Sequence, residues 1–348
     1  MIRILIVEDS DVVSLLLKTI LENEPDMQVI GRAKDGREAV QLAYELKPDL
    51  VTMDIRMPVM DGFEATRLIM ATAAVPIVVI SSSVDDEELK ITFRAIEEGA
   101  LAVLEKPRGF THPDFESMRK EMVDTIRAMA EVKVVQRYSP SSREGAVIFE
   151  AAIQQRTKTY EIIAIGCSTG GPQALQTILS RLPQGFPVPI VIAQHISRGF
   201  VGGLAAWLQG NTLLTVVLAR EGQELHPGII YLAPDNYHLC IERGCDGLIA
   251  RLKDGVEVNG FRPSATVLFK SVAETCRNKS VGVLLTGMGA DGADGLLSMR
   301  QTGAHTVVQD EASAVVYGMP GSAIALNAVD QVVQLQNMSS YLLSLARK

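Results

Sequence analysis

Short apolar runs alternate with amphipathic stretches along the first part of the chain. "IRILIVE" (2–8) is a buried-strand pattern that ends in acids, and "DVVSLLLKTILEN" (11–23) has apolar residues at helical spacing. The alternation continues through "MQVIGRA" (27–33), "GREAVQLAYEL" (36–46), "DLVTMD" (49–54), "GFEATRLIMAT" (62–72) and "PIVVIS" (76–81). "DEELKITFRAIEEG" (86–99), "ALAVLEKP" (100–107) and a last helix, "DFESMRKEMVDTIRAMAEV" (114–132), close the series. Strict strand–helix alternation with continuously apolar strands predicts a parallel sheet covered on both faces. The pattern then stops. Residues 135–160 are polar, with Pro140, several serines and one brief apolar patch at 146–149, and they read as a join. Strands and helices return with "EIIAIG" (161–166), "PQALQTILSRL" (172–182), "PVPIVIAQH" (187–195), "GIIYLAP" (228–234), "VGVLLTG" (281–287) and "HTVVQD" (305–310). The chain thus divides into a first unit (1–125), a linker (126–157) and a second unit (158–348). Both units are α/β, the second a doubly wound, mainly parallel sheet.

A length of 348 residues suits two domains, and 47% hydrophobic residues is ordinary for packed cores. The net charge of −8 speaks against a protein that mainly grips nucleic acid or an anionic membrane. The four cysteines, Cys167, Cys240, Cys245 and Cys276, form no C-x-x-C pair and no zinc spacing, so they read as reduced thiols. No signal-peptide pattern opens the chain and no apolar run has the length of a membrane helix. The sequence therefore predicts a cytoplasmic protein without membrane insertion.

In open parallel sheets chemistry collects at the carboxyl ends of strands. In the first unit those ends carry Glu8 and Asp9, Asp54, Ser81 and Lys106. Singly, each is readable as a helix cap or a turn residue. Together they put three carboxylates, a hydroxyl and an ammonium on one edge. Clustered like charges need compensation, and a hard divalent cation such as Mg²⁺ suits carboxylates plus waters. A carboxylate held there is a candidate phosphoryl acceptor.

These pieces, "ILIVEDS", "DLVTMDIRMPVMDG", "PIVVISS" and "LEKP", resemble a response-regulator receiver domain of flavodoxin-like (βα)5 fold. The resemblance implies that Glu8, Asp9 and Asp54 hold Mg²⁺ and that Asp54 is phosphorylated by a histidine kinase. It implies that Ser81 and Lys106 contact the phosphoryl group. In that family the peptide before the corresponding proline, here Lys106–Pro107, is often cis.

In the second unit "IGCSTGG" (165–171) fails two phosphate-binding patterns. It lacks the G-K-[ST] of a P-loop, and Ser168 stands where a dinucleotide fingerprint needs its second glycine. It does match G-x-S-x-G, with Gly166, Ser168 and Gly170 between a strand and a helix. Ser168 is then either a nucleophile lifted out at a strand end or a helix cap that binds an anion; Cys167 is a rival nucleophile. A serine nucleophile needs a base and an orienter. Of the five histidines, His112, His195, His226, His238 and His305, only His195 shares the strand-end position of Ser168. After "VGVLLTG" come Asp291 and Asp294, and the strand-end position favours Asp291. The chain order Ser…His…Asp differs from that of the α/β-hydrolases.

From about residue 158 onward the chain resembles the catalytic domain of the chemotaxis protein-glutamate methylesterases, the CheB family. The motifs are "AIGCSTGGP", "AQHI…GF", "PGIIYLAPDNYHL", "FRPSATVLF", "LLTGMGADGADGL" and "QDEASAVVYGMP". The resemblance implies a catalytic Ser168, His195 and Asp291, with Thr169 lining the site and the backbone near Met288 helping to form an oxyanion site. No cofactor is expected in the esterase site. It implies hydrolysis of glutamate γ-methyl esters, and deamidation of particular glutamines, on the cytoplasmic helices of methyl-accepting chemoreceptors, with the receiver covering the cleft until phosphorylation. Ser197 and Gly321 depart from the family, where proline and a larger charged residue are usual. Two other readings remain: a catalytically silent receptor-binding response regulator and a DNA-binding response regulator.

Overall fold

The computed structural model describes residues 1–81, 86–107, 109–113, 115–132, 134 and 159–346, with 86–91 described as helical backbone. The join at 135–158, with its apolar patch, lies outside the described residues. In the first unit five strands, β1 (Ile2–Val7), β2 (Met27–Ala33), β3 (Leu50–Met53), β4 (Ile77–Ser81) and β5 (Ala102–Glu105), alternate with five helices. These are α1 (Asp11–Glu22), α2 (Gly36–Leu46), α3 (Gly62–Thr72), α4 (Asp86–Glu98) and α5 (Phe115–Ala130). All neighbouring strands are parallel, in the order β2-β1-β3-β4-β5. Helix starts follow local chemistry: the Ser10, Asp35 and Asp61 side chains accept first-turn N–H groups of α1, α2 and α3. Helix α5 runs to Ala130, past the expected edge of the first unit at residue 125.

The second unit is built on seven parallel strands: β6 (Ile162–Cys167), β7 (Ile190–Gln194), β8 (Thr215–Leu218), β9 (Ile229–Leu232), β12 (Ser280–Leu284), β13 (His305–Gln309) and β14 (Gln331–Val333). Their order is β14-β13-β12-β6-β7-β9-β8. A separate antiparallel hairpin, β10 (His238–Arg243) and β11 (Leu248–Lys253), lies between β9 and β12 in sequence. The helices are α6 (Gly171–Leu179), α7 (Val201–Asn211), α8 (Ala265–Cys276), α9 (Ala293–Gln301), α10 (Gly318–Ala325) and α11 (Leu335–Ala346). Every residue of β6, β7 and β12 is buried, as strands covered on both faces should be. The strand order reverses between β1 and β3 in the first sheet and between β12 and β6 in the second, where β9 is also inserted between β7 and the edge strand β8. Crevices form at such switch points.

The two units pack together. Phe93 of α4 stacks on Trp207 of α7, with ring centroids 5.8 Å apart, and both rings are buried. Such a pair contributes about 0.5–1.5 kcal/mol beyond the area it buries. The Trp207 indole N–H donates to Glu97 Oε1 at 2.8 Å, and the Asn211 amide donates to the same oxygen at 3.2 Å. On α5, Glu121 accepts a 2.8 Å hydrogen bond from the Ser197 hydroxyl, two residues past His195. Val315 and Val316, in the loop before α10, pack against the apolar core of the first unit.

Candidate active site

Five predicted groups converge at the carboxyl edge of the first sheet. Lys106 follows β5 and reaches both carboxylates, with Nζ 2.8 Å from Glu8 Oε2 and 2.8 Å from Asp54 Oδ2. Asp54 Oδ1 accepts the Ile55 N–H at 2.7 Å. Ser81 ends β4, is buried, and its carbonyl accepts the Lys106 N–H. Asp9 is exposed beside the buried Glu8 and Asp54. Carboxylate oxygens of these three lie within 4.8 Å of one another. Burial pushes the Glu8 carboxyl above its usual pKa; the Lys106 hydrogen bond opposes this, and the Asp54 charge adds to it. Burial works against the Lys106 ammonium, but its hydrogen bonds to Asp54 and Glu8 outweigh that and hold its pKa above the ordinary lysine value. A hard, all-oxygen donor set with one disfavoured carboxylate fits a divalent cation. The cis peptide among the described residues is Arg262–Pro263, not Lys106–Pro107; Lys106 is aimed by its two carboxylate partners instead.

In the second sheet, Ser168 follows β6 and His195 follows β7. The His195 N–H donates to the Cys167 carbonyl at 2.9 Å, so the two strand ends are locked side by side. A buried amide reinforces them: Gln194 Nε2 donates to the Ser168 carbonyl at 2.8 Å and to the His195 carbonyl at 2.7 Å. Gln194 Oε1 accepts from Cys167 Sγ at 3.0 Å. Cys167 is fully buried and burial pushes its thiol far up, which makes it a packing residue and no rival nucleophile. The turn is not a strained serine elbow, because the positive φ falls on Gly170 (77°) and not on Ser168. A Cβ on Gly170 would lie 2.6 Å from Val315 Cβ. Pro172 sits in the first turn of α6, as expected.

His195 Nε2 lies 2.8 Å from Asp291 Oδ2, with Asp291 fully buried and the His195 side chain 4% exposed. Nδ1 is buried and has no hydrogen-bond partner among the described residues. With the proton on Nε2 shared with Asp291, Nδ1 presents its lone pair as a base, the reverse of the nitrogen use in the serine-protease triad. Asp291 is not at a strand end. β12 finishes at Leu284, and the acid sits on the loop that follows, against the N-terminus of α8. There Oδ1 accepts from Ser264 Oγ (2.7 Å), Thr266 N (3.3 Å) and Asn259 Nδ2 (3.2 Å), and Oδ2 accepts from Ala265 N (2.7 Å). Burial alone would raise the Asp291 pKa, but the bonds and charge of His195 and the bonds from Ser264 and Thr266 hold it well below the usual carboxylate range. The free N–H groups and dipole of a helix start favour an anion in that place.

Gly287 brings the third loop up to the serine: a Cβ there would lie 2.7 Å from Ser168 Cβ and 2.2 Å from Met319 Sδ. Thr169 and Met288, both half-buried, flank this contact, and the Thr169 carbonyl accepts from Thr286 Oγ1 at 2.9 Å. The same hydroxyl accepts the Val316 N–H at 2.9 Å, which ties the serine turn to the loop packed on the first unit. Asp294 is exposed in the first turn of α9. His226 is exposed, His305 pairs with the Tyr341 hydroxyl, and neither joins the cluster. His238 is closer: Nδ1 accepts the Ser264 N–H at 3.2 Å, and Nε2 lies 2.9 Å from the Val256 carbonyl. Gln194, Asn259, Phe261, Ser264 and His238 were not singled out from sequence. The motifs "AQHI…GF", "PGIIYLAPDNYHL" and "FRPSATVLF" contain Gln194, His238, Phe261 and Ser264 without giving them a role, and Asn259 lies outside them.

Comparison with known proteins fits both halves. Residues 4–112 match the response regulator receiver domain family and residues 163–342 match the CheB methylesterase family. The protein-glutamate methylesterase/protein-glutamine glutaminase 2 of Methanospirillum hungatei is 46% identical over 337 residues, covering 94% of this chain and 93% of that protein. The protein-glutamate methylesterase/protein-glutamine glutaminase of Nitrosospira multiformis is 45% identical, covering 99% of this chain and 97% of that protein. The crystal structure of the Thermotoga maritima CheB methylesterase catalytic domain, 35% identical, superposes with a TM-score of 0.53 and covers 54% of this chain and 99% of that one. The chain therefore belongs to the CheB family, a response-regulator receiver domain joined to a methylesterase domain.

Proposed function

We propose that this protein hydrolyses glutamate γ-methyl esters on methyl-accepting chemoreceptors, and deamidates particular glutamines there, under control of phosphorylation at Asp54. The bond between His195 Nε2 and Asp291 Oδ2, on the strand end next to Ser168, is the observation that carries this reading. His195 Nδ1 takes the Ser168 proton as the serine oxygen attacks the ester carbonyl. The developing oxyanion falls to backbone N–H groups at the serine turn and near Met288, and one such donor is typically worth about 10²–10³ in rate. His195 returns the proton to the departing methanol, or to ammonia in the deamidation. A water, deprotonated by the same nitrogen, then releases the glutamate from Ser168. Asp291 keeps the imidazole tautomer and faces its positive charge.

In the receiver, Glu8, Asp9 and Asp54 would hold Mg²⁺, which neutralises phosphate oxygens during transfer. Asp54 accepts the phosphoryl group from a chemotaxis-type histidine kinase, and Ser81 and Lys106 contact it. Support for control comes from the closed state of the site: Ser168 is 7% exposed, and both catalytic loops are tied to the receiver side, one through Ser197 and one through Val315 and Val316. A phosphoryl group adds about −1.5 to −2 charges beside Lys106 and is suited to shift such a packing equilibrium. No helix among the described residues is long and apolar enough to cross a membrane.

The test is methanol release from methylated receptor membranes. Wild type is compared with Ser168→Ala and Asp54→Asn, each with and without Mg²⁺ and a small phosphodonor. Release should require Ser168, rise with phosphodonor only when Mg²⁺ is present, and stay at the basal rate in Asp54→Asn. Wild-type protein that binds the membranes but releases nothing is the silent binding module. A gel shift with DNA in place of turnover is the DNA-binding regulator.

A further inference from the structure

The strand pair Val258 and Phe261 exchanges two backbone hydrogen bonds of 3.1 Å around Asn259 and Gly260. Both central residues have positive φ, 56° and 82°, the pattern of the tight two-residue turn that Asn-Gly favours. The turn delivers two side chains to one place. Asn259 Nδ2 donates to Asp291 Oδ1 at 3.2 Å. The Phe261 ring lies flat on the His195 imidazole, with centroids 3.7 Å apart and planes only 5° from parallel. The bond to Asp291 fixes the imidazole within its own plane, and a lone in-plane bond leaves the ring free to rock out of it. The phenyl face closes that freedom. An aromatic face also attracts a cation placed over it, and more strongly in a desolvated site. The imidazole carries a positive charge only after it has taken the serine proton, so that attraction is absent in the ground state and present at the barrier.

We propose that Phe261, held by the Asn259-Gly260 turn, is a positioning residue of the esterase: its ring face sets the plane of His195 and stabilises the imidazolium that forms during catalysis. The proposal rests on the reading of His195 as the general base. The other titratable groups around the imidazole are Asp291 on its Nε2, Glu121 against Ser197, the Arg198–Glu257 ion pair, Asp235 on the Gly199 amide and His238 behind Ser264. Substitution at Phe261 leaves all of them in place.

The experiment titrates the His195 ring by nitrogen-15 NMR in the full-length protein, with the signal assigned by its loss in His195→Gln. Three proteins are compared: wild type, Phe261→Leu, which keeps an apolar cover without a π face, and Phe261→Tyr, which keeps the face. The His195 midpoint should fall in Phe261→Leu and hold in Phe261→Tyr. In parallel, kcat should fall about 2- to 30-fold in Phe261→Leu with KM unchanged, and recover in Phe261→Tyr. A midpoint that is unchanged or raised in Phe261→Leu, or lowered equally in Phe261→Tyr, overturns the proposal and leaves Phe261 as packing. The titration needs no substrate. A shifted midpoint in a protein without esterase turnover therefore upholds the ring contact and sinks only the functional reading.

Discussion

Replacing Asp291 by asparagine keeps the shape of the side chain and removes one acceptor oxygen. The structure says what that does. Five donors meet the carboxylate: His195 Nε2 and Ala265 N on Oδ2, and Ser264 Oγ, Thr266 N and Asn259 Nδ2 on Oδ1. An amide has one oxygen to offer. If its NH2 takes the Oδ1 position, it faces the Thr266 N–H and the Asn259 amide. If it takes the Oδ2 position, it faces the Ala265 N–H, and His195 must move its proton to Nδ1 and lose the basic lone pair. Either way a first-turn N–H of α8 is left buried without an acceptor, and the helix start loses its anion. Together these cost roughly 2–5 kcal/mol of stability. The wrong tautomer lowers kcat by about 10⁴, and loss of the countercharge alone still costs at least about 10² by the same reasoning. The stability difference has a definite pH dependence. The Asp291 pKa is depressed on folding, so its contribution is complete above the unfolded value of about 3.9 and fades as pH falls toward the lower folded value. Denaturant unfolding of wild type and Asp291→Asn at several pH values, with methanol release at neutral pH, tests both parts. A variant within tenfold of wild-type turnover, or one less than about 1 kcal/mol less stable at pH 7, would refute the assignment of Asp291 as the buried acceptor that orients His195.

Two further outcomes follow from contacts around the site. Glu121→Ala removes the only hydrogen bond described between α5 and the histidine loop, so basal esterase turnover without phosphodonor should rise about 2- to 10-fold while the fully activated rate holds; an unchanged basal rate means that the contact is no brake. Gly171→Ala places a Cβ 2.1 Å from Gln194 Oε1 and displaces the amide that bridges the Ser168 and His195 carbonyls. It should cost about 1–3 kcal/mol in thermal unfolding and slow turnover, and wild-type values in both measurements would mean that the bridge has no role.

The fold and much of the site were legible in the sequence for a simple reason. The parallel strands are mostly apolar, so the polar residues at their carboxyl ends stand out: Glu8, Asp54 and Ser168 directly follow β1, β3 and β6, and Lys106 and His195 directly follow the terminal Glu105 of β5 and Gln194 of β7. Asp291 does meet His195, but the strand-end position used to choose it does not hold. It lies beyond the strand end, and what makes it special is the start of α8, a partner remote in sequence. Gln194 and Phe261 illustrate the same limit. A buried amide spanning two carbonyls and a ring lying flat on an imidazole are facts of distance and angle, which periodicity does not encode. The Ser197 bond to Glu121 is likewise a meeting of two units across the join, and the sequence offers only an unusual residue after the histidine.

Trp207 is the single tryptophan of the chain, and it stands where the two units touch, 2% exposed, stacked on Phe93 and hydrogen-bonded to Glu97. The protein thus carries one native fluorophore, placed on the contact whose opening is in question. Its emission comes from no other indole, so no label or fusion is needed to follow separation of the units. A stopped-flow trace of that signal after addition of phosphodonor gives the rate of release itself, apart from the rate of ester cleavage, and so separates the opening of the molecule from its chemistry.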